Sequence, residues 1–107
     1  MWLPCPYLGR DVELTDERER HIQRAHRNLL PGRRSDLAAT LADPDEVRVR
    51  AWRPGELIFV RAVQERELVV VVVIEAEPVS DADPPRAFIA TAYVAENPPA
   101  SAVLWIR

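Results

Sequence analysis

Leu68-Val69-Val70-Val71-Val72-Val73-Ile74 is the stretch from which the fold is read. Six of its seven residues are branched at Cβ, which restricts χ1 and favours an extended backbone packed on a pleated surface. The run is apolar on both parities and is bounded by Glu65-Arg66-Glu67 before it and Glu75 after it. That pattern predicts a strand covered on both faces. As a helix it would be too short to cross a bilayer, which takes roughly 20 apolar residues. Leu68–Ile74 is therefore expected to be the central strand of one sheet.

Working outward, the segments that flank this run alternate with period 2. Leu57–Val63 is expected to be the strand before it, joined through Gln64–Glu67. Arg86–Val94 is the strand after it, reached through the acidic, Pro-containing loop Glu77–Pro85. Val47, Val49 and Ala51 alternate with Arg48, Arg50 and Trp52, as in a strand with one wetter face, and Arg53-Pro54-Gly55-Glu56 supplies a turn. After the Pro-containing turn Glu96–Ser101, Ala102–Ile106 reads as a last short strand.

Upstream of Glu46 the period is helical. Thr15 offers an N-cap oxygen, and Asp16 and Glu17 suit the positive end of a helix dipole. A helix is expected over residues 16–29, with Ile22, Ala25 and Leu29 as a narrow apolar stripe that Pro31-Gly32 ends. Ser35 is expected to cap a shorter helix over Asp36–Ala42, stopped at Asp43-Pro44. Residues 1–11 are punctuated by proline and read as an extended lead-in, without periodicity as far as residue 13. The expected fold is α+β in a single domain over residues 1–107. Two N-terminal helices pack on one face of a four- to five-stranded, mainly antiparallel sheet, because short connections favour antiparallel neighbours.

Composition narrows the function classes. Apolar content is 48% and charged content 29%, values of an ordinary globular domain. The start Met-Trp-Leu-Pro-Cys-Pro has no basic region followed by an apolar core, so no signal peptide is expected. The single cysteine, Cys5, cannot form an internal disulfide or a Cys-rich zinc site, and a reducing cytoplasm is the expected setting. All 14 basic residues are arginine. A GC-rich genome explains that bias; so does a surface for phosphate, since guanidinium presents a rigid fork of donors to phosphate oxygens. Net charge is −3, which argues against a general nucleic-acid binder. The charge is uneven, however. Residues 18–34 hold six arginines (Arg18, Arg20, Arg24, Arg27, Arg33, Arg34) and one acid, Glu19, a local excess of +5.

Strand parity suggests which side chains share the face away from the helices. If Val47, Val49 and Ala51 face inward, then Arg48, Arg50 and Trp52 face out. In the next strand Ile58, Val60 and Ala62 are expected inward and Phe59, Arg61 and Val63 outward. In Arg86–Val94, Phe88, Ala90 and Ala92 are expected inward and Ile89, Thr91 and Tyr93 outward. The outer face then gathers Arg, Thr, Tyr and Trp. Each has a plainer role: Arg61 reaching solvent along its stem, Thr91 as a strand former, Tyr93 packing its ring, Trp52 contacting a second copy. His21 and His26 stand five apart, roughly 140° around a helix, so they are no metal-chelating pair. Imidazole is instead the usual proton shuttle for chemistry without a metal, and His26, later in the helix and nearer a cleft beside the sheet, is the preferred candidate.

The string Val12-Glu-Leu-Thr-Asp-Glu-Arg-Glu-Arg-His21-Ile22-x3-His26 resembles the opening of a small phage- and toxin-associated branch of the barnase–EndoU–colicin–RelE (BECR) nuclease superfamily. So do Leu41-Ala-Asp-Pro44-Asp-Glu-Val47, Glu56-Leu-Ile-Phe-Val-Arg61, Ile89-Ala-Thr91-Ala-Tyr93 and Val103-Leu-Trp105. The resemblance spans about residues 12–106. It implies metal-independent RNA cleavage without a cofactor by a toxin-like ribonuclease. By position it implies His21, His26, Arg61, Thr91 and Tyr93 as catalytic residues. Arg48, Arg50 and Trp52 are expected to hold substrate, with Trp52 or Tyr93 stacking a base. The family often follows its second histidine with Pro-Glu, where this chain has Arg27-Asn28. Expected partners are RNA, a protein inhibitor (antitoxin) and a second copy of the chain, with no membrane. The competing expectation is a non-catalytic module of the same fold that binds or dimerises through Trp52, Phe59 and an edge strand.

Overall fold

The valine run lies mid-sheet. The computed structural model describes residues 1–27, 29–30, 32–75 and 85–107. In chain order the elements are β1 (Trp2–Cys5), a 3₁₀ turn at Pro6–Leu8, β2 (Arg10–Glu13), α1 (Asp16–Ala25), α2 (Arg34–Ala42), β3 (Glu46–Val49), β4 (Glu56–Val63), β5 (Arg66–Ile74), β6 (Ala87–Ala95) and β7 (Ala102–Ile106). The strands form one curled sheet in the order β1-β2-β6-β5-β4-β3-β7. Every pairing is antiparallel except β2 with β6, which is parallel and joins Glu13 to Phe88.

This corrects the expected fold class. The sheet has seven strands and is mixed, and the chain begins with strands rather than with the two helices. The five stretches read as strands are strands; the missed pair is β1 and β2. Leu3 and Cys5 alternate inward with Trp2 and Pro4 outward, but Pro4 and Pro6 obscure that alternation. Proline is tolerated there because β1 is an edge strand and pairs only with β2. The loop expected over Glu77–Pro85 lies, apart from Pro85, outside the described residues, as do Asn28 and Pro31 at the expected end of the first helix.

Thr15 caps α1 as expected: its Oγ1 accepts from the Arg18 N–H at 3.1 Å. The helix ends at Ala25 rather than residue 29, because His26 leaves the helical region (φ −138°, ψ 72°). Leu29 and Leu30 are buried in the turn that follows. The second helix starts at Arg34, and its preceding residue Arg33 makes no side-chain cap, so Ser35 is not the cap.

Two apolar clusters lie on the two faces of the sheet. The larger one packs Ile22, Leu37 and Leu41 of the helices against Val47, Phe59, Leu68, Val70, Val72 and Ile89. The smaller one holds Ile58, Val60, Val69 and Val71 on the opposite face. The expected parity therefore holds for Val47 and Ala92 and is inverted for Ile58, Val60 and Phe59. A strand apolar on both parities gives no local sign of which face meets the helices. In β6 the register slips between Thr91 and Ile89 opposite Val71 and Val72. That bulge at Ala90 lets Ile89 face the helices while Thr91 and Tyr93 face away, because an inserted residue reverses the alternation. The connection Glu96–Ser101 leaves the end of β6 and enters β7 four places along the sheet. Its last residue is held by Arg48, whose Nε donates to Ser101 Oγ at 2.8 Å.

Candidate functional site

Only Phe88 of β6 pairs with β2, and α1 packs along the strand beyond that point. Two contacts fix it. Ile22 is fully buried in the main core, and Arg18 Nη1 donates to the carbonyl oxygen of Ala90, the bulged residue, at 3.3 Å. The helix therefore ends beside the last turn of β6. There the His26 ring lies 5.9 Å from the ring of Tyr93, centroid to centroid, with the planes tilted by 37°. Burial of Tyr93 pushes its phenol above the ordinary range; Glu56 adds to this and Arg50 opposes it. Tyr93 thus keeps its proton at neutral pH and is a hydrogen-bond donor.

His26 opens onto a cleft of about 560 Å³ lined by Arg24, Arg27, Leu29, Arg66 and Val94. A second hollow of about 350 Å³ shares Arg66 and Val94 and adds Arg33 and Gln64. Among the described residues four arginines line the two hollows and no carboxylate does. Arg33 reaches Asp36 only at 4.0 Å. Among the described residues no carboxylate pairs with Arg24, Arg27 or Arg66. Arg66 is positioned by the tight β4–β5 hairpin, where Gln64 takes the left-handed conformation (φ 58°) and Val63 pairs with Arg66. Three exposed guanidinium groups, Arg24, Arg27 and Arg66, without acid partners among the described residues suit an anion with several oxygens, such as a phosphodiester.

The other sequence candidates lie elsewhere. His21 is exposed on α1 and is not among the residues that line the His26 cleft. Arg61 has the parity of Phe59 and so stands on the helix side of β4. Its Nη1 donates to the Asp43 carbonyl at 2.5 Å and to Asp43 Oδ2 at 3.2 Å. Asp43 Oδ2 also receives Arg107 Nη2 at 2.8 Å, so this guanidinium ties the end of α2 to β4 and the β7 side of the sheet, away from β6. Thr91 faces away from the helices opposite Val71. Arg48 is held by Glu46 and Ser101, and Arg50 by the buried carboxylate of Glu56. Trp52 is exposed in the β3–β4 turn. The fold brings His26 and Tyr93 together and leaves Arg61, Arg48 and Arg50 engaged in pairs of their own.

Arg24, Arg27 and Arg33 belong to the basic segment 18–34, but the part of Arg66 was not visible in the sequence. Arg66 stands between Glu65 and Glu67 and reads as solvated turn. It shares the parity of Leu68 and Val70, which face the helices, but a run apolar on both parities gives no sign of that side in the sequence.

No protein-family model matches the chain, and neither curated proteins nor solved structures give a significant match. Among the described residues no helix is long and apolar enough to cross a membrane.

Proposed function

We propose that this protein is a metal-independent endoribonuclease, acting in the cytoplasm, whose reaction takes place at His26. One observation carries the reading: His26, whose ring lies 5.9 Å from that of Tyr93, lines a cleft together with Arg24, Arg27 and Arg66, and among the described residues no carboxylate lines it. RNA cleavage of this kind removes the proton of a 2′-OH, which attacks the adjacent phosphorus. The bond to the 5′ oxygen breaks, and a proton is delivered to that leaving oxygen. His26 serves as the acid–base group. Arg24, Arg27 and Arg66 hold the phosphate and offset the charge that grows on its oxygens. Tyr93, which retains its proton, donates to a phosphate oxygen. The resemblance to the BECR branch supports the same chemistry, with His26 and Tyr93 as the shared positions. Arg61 takes a structural part in this scheme, since Asp43 occupies its guanidinium.

The test is cleavage of a single-stranded RNA in the presence of EDTA. His26→Ala is expected to lower the rate by roughly 10²–10⁴, with RNA affinity little changed. Arg61→Ala is expected to leave the rate near that of the parent. Equal rates for His26→Ala and the parent would overturn the assignment. RNA that binds without being cut would favour the non-catalytic reading, for which the arginine cleft is a binding site alone.

A further inference from the structure

The outer edge of β7 has no role in that chemistry and, among the described residues, no paired strand. β7 closes the strand order and, among the described residues, pairs only with β3. All five of its residues are exposed and all five are apolar. Val103 is 42% exposed, Leu104 52%, Trp105 39% and Ile106 65%. Trp52, at 67%, stands in the turn just past the point where Val49 pairs with Ala102. At the other end Trp105 meets Tyr7, ring centroids 6.1 Å apart, above a hollow of about 310 Å³ lined also by Pro6, Ala42, Asp43 and Pro44.

We infer that this edge is where a second copy of the chain binds, β7 against β7 about a two-fold axis. Edge strands that stay single are normally blunted by charged residues, proline or cover from another element. Ala102–Ile106 has no charge and no proline, and no described residue pairs with its outer side. The one irregularity is a bulge: Val47 pairs with Trp105 and Arg48 with Val103, leaving Leu104 between them. It adds an apolar side chain to the edge rather than a polar one. With side-chain areas of roughly 150–250 Å² for the aromatic residues, the patch exposes on the order of 600 Å² of apolar surface. That is the top of the range for a monomer, and with a polar rim it comes close to the roughly 800 Å² per partner of a standard interface. A two-fold antiparallel arrangement is self-complementary. It runs the exposed Val103, Leu104 and Ile106 of one copy alongside those of the other, apolar side chains meeting apolar side chains across the new pairing.

The test is the mass of the whole chain in solution by light scattering and sedimentation over a concentration series. A dimer is expected, with amides of Ala102–Ile106 gaining hydrogen-exchange protection as concentration rises. Leu104→Lys and, separately, Ile106→Lys are expected to weaken the dimer by roughly a hundredfold or more. Both sites are solvent-exposed, so each variant should keep the circular dichroism and melting temperature of a folded chain measured at monomeric dilution. A parent that is monomeric throughout the series overturns the inference. So does a dimer that both lysine variants leave intact, because its contact must then lie elsewhere. The result is independent of RNA cleavage, which is assayed at His26.

Discussion

Glu67 shows how one side chain's surroundings set its worth. It lies opposite Ala62 and Ala95 on the face away from the helices. Burial raises its carboxyl pKa above the ordinary value, and the neighbouring carboxylates of Asp45 and Glu46 raise it further. A folded-state pKa above the unfolded one means that the native protein holds this proton more tightly. Stability therefore falls as pH rises through the interval between the two values, and the loss stays at neutral pH. Glu67→Gln removes the ionised group and is expected to stabilise the protein at pH 7 by about 0.5 kcal/mol, a Tm rise of about 2–4 °C. The gain should vanish when melting is measured below the ordinary glutamate pKa, where parent and variant are both uncharged. A gain of the same size at acid pH would mean that charge is not its cause. A second residue-scale constraint is Gly55 at φ +82°, where an added Cβ would stand 2.8 Å from the Ile74 carbonyl oxygen. Only glycine suits that turn.

At the scale of elements, the site depends on how α1 is docked. Its start was legible, since Thr15, Asp16 and Glu17 are a local capping signal and Thr15 makes the bond expected of it. Its end was not, because Leu29 continues the helical stripe in sequence but enters the core from a turn. Which strand α1 would lie along was equally hidden. That follows from β2 joining β6 in parallel and pairing with Phe88 alone, a contact of residues 75 positions apart. Arg18 is the tie between helix and strand. Arg18→Ala is expected to cost about 1 kcal/mol, a fall of about 4–8 °C in Tm, and to speed amide exchange across residues 16–25. Cleavage should fall more than RNA affinity does, because the arginines persist while His26 loses its place against Tyr93. Unchanged exchange in α1 would show that Ile22 alone holds the helix.

At the scale of the whole molecule, binding must work against a net charge of −3. If RNA binds as proposed, the attraction is local, and three arginines without acid partners among the described residues predict a shallow salt dependence. With Arg24, Arg27 and Arg66 each meeting a phosphate, log affinity for single-stranded RNA should fall against log salt with a slope of about −2. Arg66→Ala should make that slope shallower by about 0.7. A slope that Arg66→Ala does not alter would place the RNA away from this cleft.

By itself the sequence determined which stretches are helical and which are extended from Thr15 onward, but not where the first helix ends or the second begins. Branching at Cβ, capping and periodicity act over a few residues and are written in their order. It also carries the basic segment 18–34, three of whose arginines, Arg24, Arg27 and Arg33, line the two hollows. Only the tertiary structure decided that Phe59 rather than Ile58 faces the helices, that a bulge at Ala90 turns Tyr93 the other way, and that β1 and β2 complete the sheet. The same holds for the meeting of His26 with Arg66 and for the capture of Arg61 by Asp43. A strand apolar on both sides satisfies either orientation locally, and the choice is made by contacts between residues distant in the chain.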